Sequence, residues 1–213
     1  MSSTRSFVSR KIHSLLGVIP VGLFLLEHMI TNYSATKGLE EFQKSVAFLN
    51  NLPFVLALEI FFIWLPILYH GIYGVYIAVQ SKNNTTSYSY YRNFMFVLQR
   101  ISGVVTLLFL GWHFYETRLQ VALGNVTHEQ LGLLMRDVFL NPVTYSLYMI
   151  GVISAVFHFC NGLWSFMVSW GIAVGPNAQR KVAYVSFALF LIISVIFILA
   201  MNAFTADSFI AKG

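Results

Sequence analysis

The run from Phe61 to Val79, FFIWLPILYHGIYGVYIAV, holds nineteen residues without a formal charge and a histidine at its centre. A stretch of that length suits a helix crossing the roughly 30 Å hydrocarbon core of a bilayer. In hydrocarbon only a helix or a closed barrel satisfies every backbone N–H and C=O. Similar apolar runs recur along the chain. They predict an all-α membrane protein with five transmembrane helices, at about 12–33, 55–79, 94–117, 143–174 and 182–204. Pro53 marks the start of the second span and Pro142 the start of the fourth, since proline is tolerated in the first turn of a helix. Gly175 and Pro176 are expected to end the fourth. Residues 1–213 read as a single integral-membrane domain, with a short surface helix between Ser34 and Leu52 and a long loop from Arg118 to Asn141.

Composition closes off other classes. The chain is 57% hydrophobic and only 10% charged, whereas soluble domains carry about a quarter charged residues. The net charge of +5 is spread between spans rather than gathered in a patch, so no nucleic-acid partner is expected. One cysteine, Cys160, allows neither a disulfide within the chain nor a C-x-x-C-H haem attachment. The basic, apolar N-terminus looks like a secretory signal, but the apolar run continues to Tyr33 without a small-residue cleavage site, so an uncleaved first span is expected.

Loop charges set the orientation. With the N-terminus in the cytoplasm, Arg5, Arg10, Lys11, Lys82, Arg92, Arg100, Arg180 and Lys181 are inside, and Lys37, Lys44, Arg118, Arg136 and Lys212 are outside. All eight acids then fall in outer loops or at outer helix ends.

Four spans carry one deep histidine each: His28, His70, His113 and His158. An ionisable side chain inside a membrane marks a functional site by default. At a rise of about 1.5 Å per residue, His28 and His113 lie roughly 7 Å from the outer helix ends, and His70 and His158 about 22 Å. Two histidines at one depth on different helices can fill both axial positions of one haem iron, an arrangement suited to electron transfer rather than oxygen binding. The reading is two non-covalent b-type haems about 15 Å apart along the membrane normal, with helices I–IV bundled around them. Small residues offer room beside the ligands: Gly17 on the His28 face, Ser102, Gly103 and Thr106 on the His113 face, Gly74 after His70, and Gly151, Ser154 and Gly162 on the His158 face. Zinc is disfavoured, because neither depth supplies a third and fourth ligand. His13 reads as a polar tip at the inner interface and His128 as a solvated loop residue.

The segments HSLLGVIPVGLFLLEHM (13–29), LPFVLALEIFFIWLPILYHGIYGVYIA (52–78), YSYYRNFMFVLQRISGVVTLLFLGWHFYETR (88–118) and FHFCNGLWSFMVSWGI (157–172) carry a resemblance. They resemble the cytochrome b membrane anchor of succinate dehydrogenase, in its two-haem, single-subunit, five-span form from Bacillus-like bacteria. The resemblance implies His70 and His158 on an inner haem and His28 and His113 on an outer one. It also implies a cytoplasmic (plasma) membrane location, with an FAD-containing flavoprotein and an iron–sulfur subunit docked on the cytoplasmic face. Succinate would be oxidised on the flavoprotein, and electrons would pass through the two haem b groups to menaquinone near the outer side.

Two further residues have two readings each. Arg100 is either a topology anchor or a partner for an inner-haem propionate. Glu59 is either a carboxylate favoured by a helix N-terminus or a proton carrier for the quinone. Glu27, beside His28, invites the same proton role from a different helix face. Other functions stay in competition: a tether that carries no electrons, a haem-free transporter relaying protons through histidines, the di-haem cytochrome b of a hydrogenase or formate dehydrogenase, and a fumarate reductase anchor running in reverse.

Overall fold

The computed structural model describes residues 3–82 and 84–211. Lys212, used in the charge reading, and Asn83 of the connector lie outside the described residues. Five helices are long and apolar enough to cross a membrane, and no strand occurs among the described residues. Large apolar side chains such as Leu23, Ile72, Leu108, Ile150 and Val195 point outward. In a soluble protein that pattern would be an aggregation hazard, whereas in a bilayer these are the groups that face lipid. The protein is an all-α, multi-pass membrane protein.

The first span runs as α1 (Ser3–Val18) and α2 (Pro20–Tyr33). The expected unbroken helix is interrupted at Ile19, because Pro20 lacks an N–H and its ring crowds the carbonyl one turn back. Past the 3₁₀ turn Ser34–Lys37, the surface helix α3 spans Leu39–Asn50. The second span opens with α4 (Val55–Leu58), after Phe54 in the left-handed region (φ 57°). Pro53 therefore sits in the turn before the helix rather than in its first turn. A π-helical turn, Glu59–Trp64, separates α4 from α5 (Leu65–Gln80). Pro66 follows it, and a missing N–H there loosens the ladder locally.

The third span, α6 (Tyr91–Glu116), is longer than expected and bends at Thr117 into α7 (Arg118–Ala122). Most of the expected loop after Ala122 is also ordered, as a 3₁₀ turn at His128–Gln130 and α8 (Leu131–Leu140). Asn141 caps the fourth span, α9 (Pro142–Ser169), its side chain accepting from Val143 N at 2.9 Å. That helix stops short of the expected Val174. Gly171 adopts φ 72°, and the amides of Gly171 and Ile172 bond back to Val168 and Met167, an αL-type helix end. Gly175 and Pro176 instead start the fifth span, α10 (Gly175–Thr205), which begins seven residues before the expected Val182. The short α11 (Ser208–Ala211) is the last described element.

Two packed cores position the site. Val156, Cys160, Ile193 and Phe197 join α9 to α10 in the middle of the bundle. At the end bearing His28 and His113, a second core of Ala35, Phe42, Met135, Phe139, Tyr148, Met201, Phe204 and Phe209 ties α3, α8 and α11 onto α9 and α10. Arg136 seals it by donating to the carbonyls of Phe204 and Ala206, both at 2.8 Å, which are left open at the end of α10. His128, expected to be solvated, is half-buried, and its Nε2 is buried without a hydrogen-bond partner in the protein.

Candidate functional site

The four deep histidines meet in two pairs. His28 of α2 and His113 of α6 have ring centroids 5.8 Å apart at 69°. His70 of α5 and His158 of α9 have centroids 6.0 Å apart at 80°. A metal–imidazole bond of about 2.0 Å and a ring radius of about 1.1 Å put two axially opposed rings roughly 6 Å apart. The centroid spacing of both pairs matches that separation. Among the described residues no group of three or more His, Cys, Asp or Glu comes together in a way that could hold a metal ion.

Three of the four rings have a partner at Nδ1. His70 Nδ1 lies 2.8 Å from the His13 carbonyl and His158 Nδ1 lies 3.0 Å from the Gln99 carbonyl. A carbonyl only accepts, so His70 Nδ1 carries the proton and its Nε2 is the open nitrogen; His158 Nδ1 also lies 3.2 Å from the Gln99 side-chain amide nitrogen and 3.5 Å from the Ser102 hydroxyl. Gln99 is itself fixed, donating to the His158 carbonyl at 2.9 Å and accepting from Asn161 at 2.7 Å. His113 Nδ1 is 3.3 Å from the hydroxyl of Tyr148. Tyr148 gives its one proton to Glu116 Oε2 at 2.6 Å, so toward His113 its oxygen accepts.

Two sequence expectations change. His13 is not a tip at the interface: its ring stacks on His70 with centroids 4.1 Å apart and 4° between planes. Gly17 and Gly103 face the imidazole of another span rather than only that of their own helix. A Cβ on Gly17 would strike the His70 ring, and one on Gly103 would lie 2.7 Å from His158 Cε1. Each glycine thus accommodates an imidazole from a neighbouring span. Gly151 takes the Phe109 ring in the same way. Thr106 Oγ1, expected beside a ligand, is buried and unpartnered within the protein.

Glu59 forms a two-point ion pair with Arg118, Nη2 to Oε2 at 2.7 Å and Nε to Oε1 at 3.2 Å, with side chains 17% and 34% exposed. Arg100 lies over the Phe96 ring, 3.7 Å from its centroid. With Arg10 and Lys82 it lines a recess of about 210 Å³ at the opposite end of the bundle from Glu59. Glu27, which the sequence placed on an unpromising face, accepts from Thr31 at 2.5 Å. It opens onto a groove of about 620 Å³ between α2 and α3, walled by Leu23, Leu26, Ile30 and Phe48 and rimmed by Lys44. Lys44 is bonded to Glu40 and Glu41. Those bonds hold the ammonium above its ordinary pKa, and the bond from Lys44 holds the Glu41 carboxyl below its own.

Hydropathy and spacing located the histidines. They gave no signal for Tyr148, Glu116, Gln99 or the stacked His13, whose roles exist only once helices are set side by side.

The chain is similar to known proteins over nearly its whole length. The family model for the succinate dehydrogenase/fumarate reductase transmembrane subunit matches residues 80–198, which include His113 and His158. Over 204 residues, 96% of this chain and 100% of the relative, it is 47% identical to a protein of Bacillus subtilis (strain 168) named succinate dehydrogenase cytochrome b558 subunit. No solved structure matches it.

Proposed function

The chain belongs to the succinate dehydrogenase/fumarate reductase transmembrane subunit family, and from that membership we propose how its side chains serve such a complex. It is the membrane anchor of the complex. We assign it two b-type haems, one held by His70 and His158 and the other by His28 and His113, through which electrons from an iron–sulfur subunit reach menaquinone. The flavoprotein and iron–sulfur subunits dock on the cytoplasmic face, the end of the bundle nearer His70. The observation that carries this reading is the meeting of four imidazoles from four spans in two pairs, 5.8 and 6.0 Å apart.

When bound, each haem supplies a one-electron iron centre with no open coordination position. The residues of this chain do the rest. The His13 carbonyl fixes the tautomer of His70, Gln99 and Ser102 hold the Nδ1 of His158, and Gly17 and Gly103 let those rings approach a neighbouring backbone. Arg100, with Arg10 and Lys82, offers cationic partners for the propionates of the inner haem.

The groove between α2 and α3 suits the quinone. Its volume falls in the usual range for a small-molecule site, and its walls are apolar with few polar groups. Glu27 stands in it directly beside His28 in sequence, where a titratable group can pass protons to a reduced quinone. Glu59 is the second candidate carrier, at the cost of releasing Arg118 when it takes up a proton.

The test is purification of the complex in mild detergent, scored for b-haem α-band absorbance and co-purifying FAD. Two haems per chain are expected, with one lost in His70→Ala or His158→Ala and the other in His28→Ala or His113→Ala. A colourless complex sinks the reading.

A further inference from the structure

Among the described residues, His113 is the one deep histidine whose Nδ1–H faces a side chain bound in turn to a carboxylate. His70 and His158 face neutral backbone carbonyls. The Tyr148 oxygen stands 3.3 Å from His113 Nδ1 and donates to Glu116 at 2.6 Å. The ring has no latitude to leave. Tyr148 is 2% exposed, and its ring centroid lies 4.8 Å from that of Trp112 and 5.2 Å from those of Phe109 and Phe139. Glu116 stands three residues after His113 on α6, on the same side of the helix, so one tyrosine from α9 bridges both. Phe109 packs against the His113 ring at 5.8 Å and 21°, fixing its plane from another side. Arg118, the nearest cation in sequence, is committed to Glu59.

We infer that Tyr148 and Glu116 are positioning residues for His113, setting its ring orientation and its strength as a donor to the outer haem. The inference rests on the reading of His28 and His113 as the ligands of that haem. A hydrogen bond drawn from Nδ1 toward a carboxylate raises the basicity of the ligating Nε2. A more basic axial ligand favours ferric over ferrous iron, as does a nearby negative charge in a medium of low dielectric constant. The Tyr148–Glu116 link therefore holds down the potential of one haem of the two. Its removal acts on that haem alone, because the groups facing Nδ1 of the inner ligands are all neutral.

The test is a spectroscopic redox titration of the purified complex that resolves two haem components, run on the wild type, Tyr148→Phe and Glu116→Gln, with His113→Ala identifying the outer component. In both test variants the His113-dependent component is expected to shift upward by at least tenfold in its oxidation equilibrium, 59 mV for one electron. Its ferric low-spin resonance moves and the other component stays in place. Should Tyr148→Phe lose that haem, Glu116→Gln, which keeps the ring, decides. Two haems present with neither moved, or both moved together, overturns the inference. A His113→Ala complex that keeps both haems overturns the ligand reading instead.

Discussion

His13 and His70 form a single unit: the His70 Nδ1 lies 2.8 Å from the His13 backbone oxygen, and the two imidazoles stack in near-parallel planes 4.1 Å apart. The main chain of α1 thus orients a ring on α5, while the side chain covers one of its faces. Because the hydrogen bond comes from backbone, the two contributions can be separated by mutation.

His13→Ala removes the stack and leaves the carbonyl in place. Aromatic pairs of this kind contribute about 0.5–1.5 kcal/mol beyond area burial. The inner haem is therefore expected to bind but to be lost sooner on heating in detergent, measured as decay of the α-band, with the outer haem unaffected. Equal loss of both haems would contradict this.

Gly103 is tied to His158 by space. A Cβ there lies 2.7 Å from the imidazole, so Gly103→Val is expected to push the ring away and abolish the inner haem selectively. Gly103→Ala is expected to weaken haem retention to a lesser degree. A Gly103→Val complex with full haem content would show that the ring has room to shift.

For the groove, Glu27→Gln is expected to reduce menaquinone reduction by about a hundredfold or more with haem content unchanged, the range typical of lost proton transfer. Glu59→Gln is expected to have a smaller effect on turnover and to alter its pH profile. An unchanged pH profile would leave Glu59 with only its ion pair. Arg118→Ala should then reproduce the loss of that part-buried, two-point ion pair without touching turnover.

On the opposite side, Arg100→Gln removes one of the cations lining the small recess with Arg10 and Lys82. A positive charge near a haem favours the reduced state, so the inner haem's potential is expected to fall while the outer one stays put. No shift in redox titration would assign Arg100 to membrane anchoring.

Much of the architecture was legible in the residues. Hydropathy located all five spans, and family resemblance indicated a succinate dehydrogenase membrane subunit before any fold was in hand. Helix ends were less legible. Gly175-Pro176 reads equally as a stop or a start, and its role fell to Gly171, whose backbone bonds close α9 five residues earlier than Val174. Pro20 and the π-helical turn before Pro66 broke helices that apolar periodicity alone drew as continuous.

By itself the sequence determined what depends on distance along one helix axis: which segments cross, how deep each histidine lies, and that His28 shares a level with His113 and His70 with His158. Helical rise is constant and hydrocarbon admits little else, so that information is one-dimensional and survives in the string. Only the tertiary structure decided which way each helix turns about its axis and which span stands beside which. That choice put Gly103 under His158, Glu27 in a groove and Tyr148 between His113 and Glu116, because close packing of side chains from distant segments, not the local sequence, fixes helix rotation.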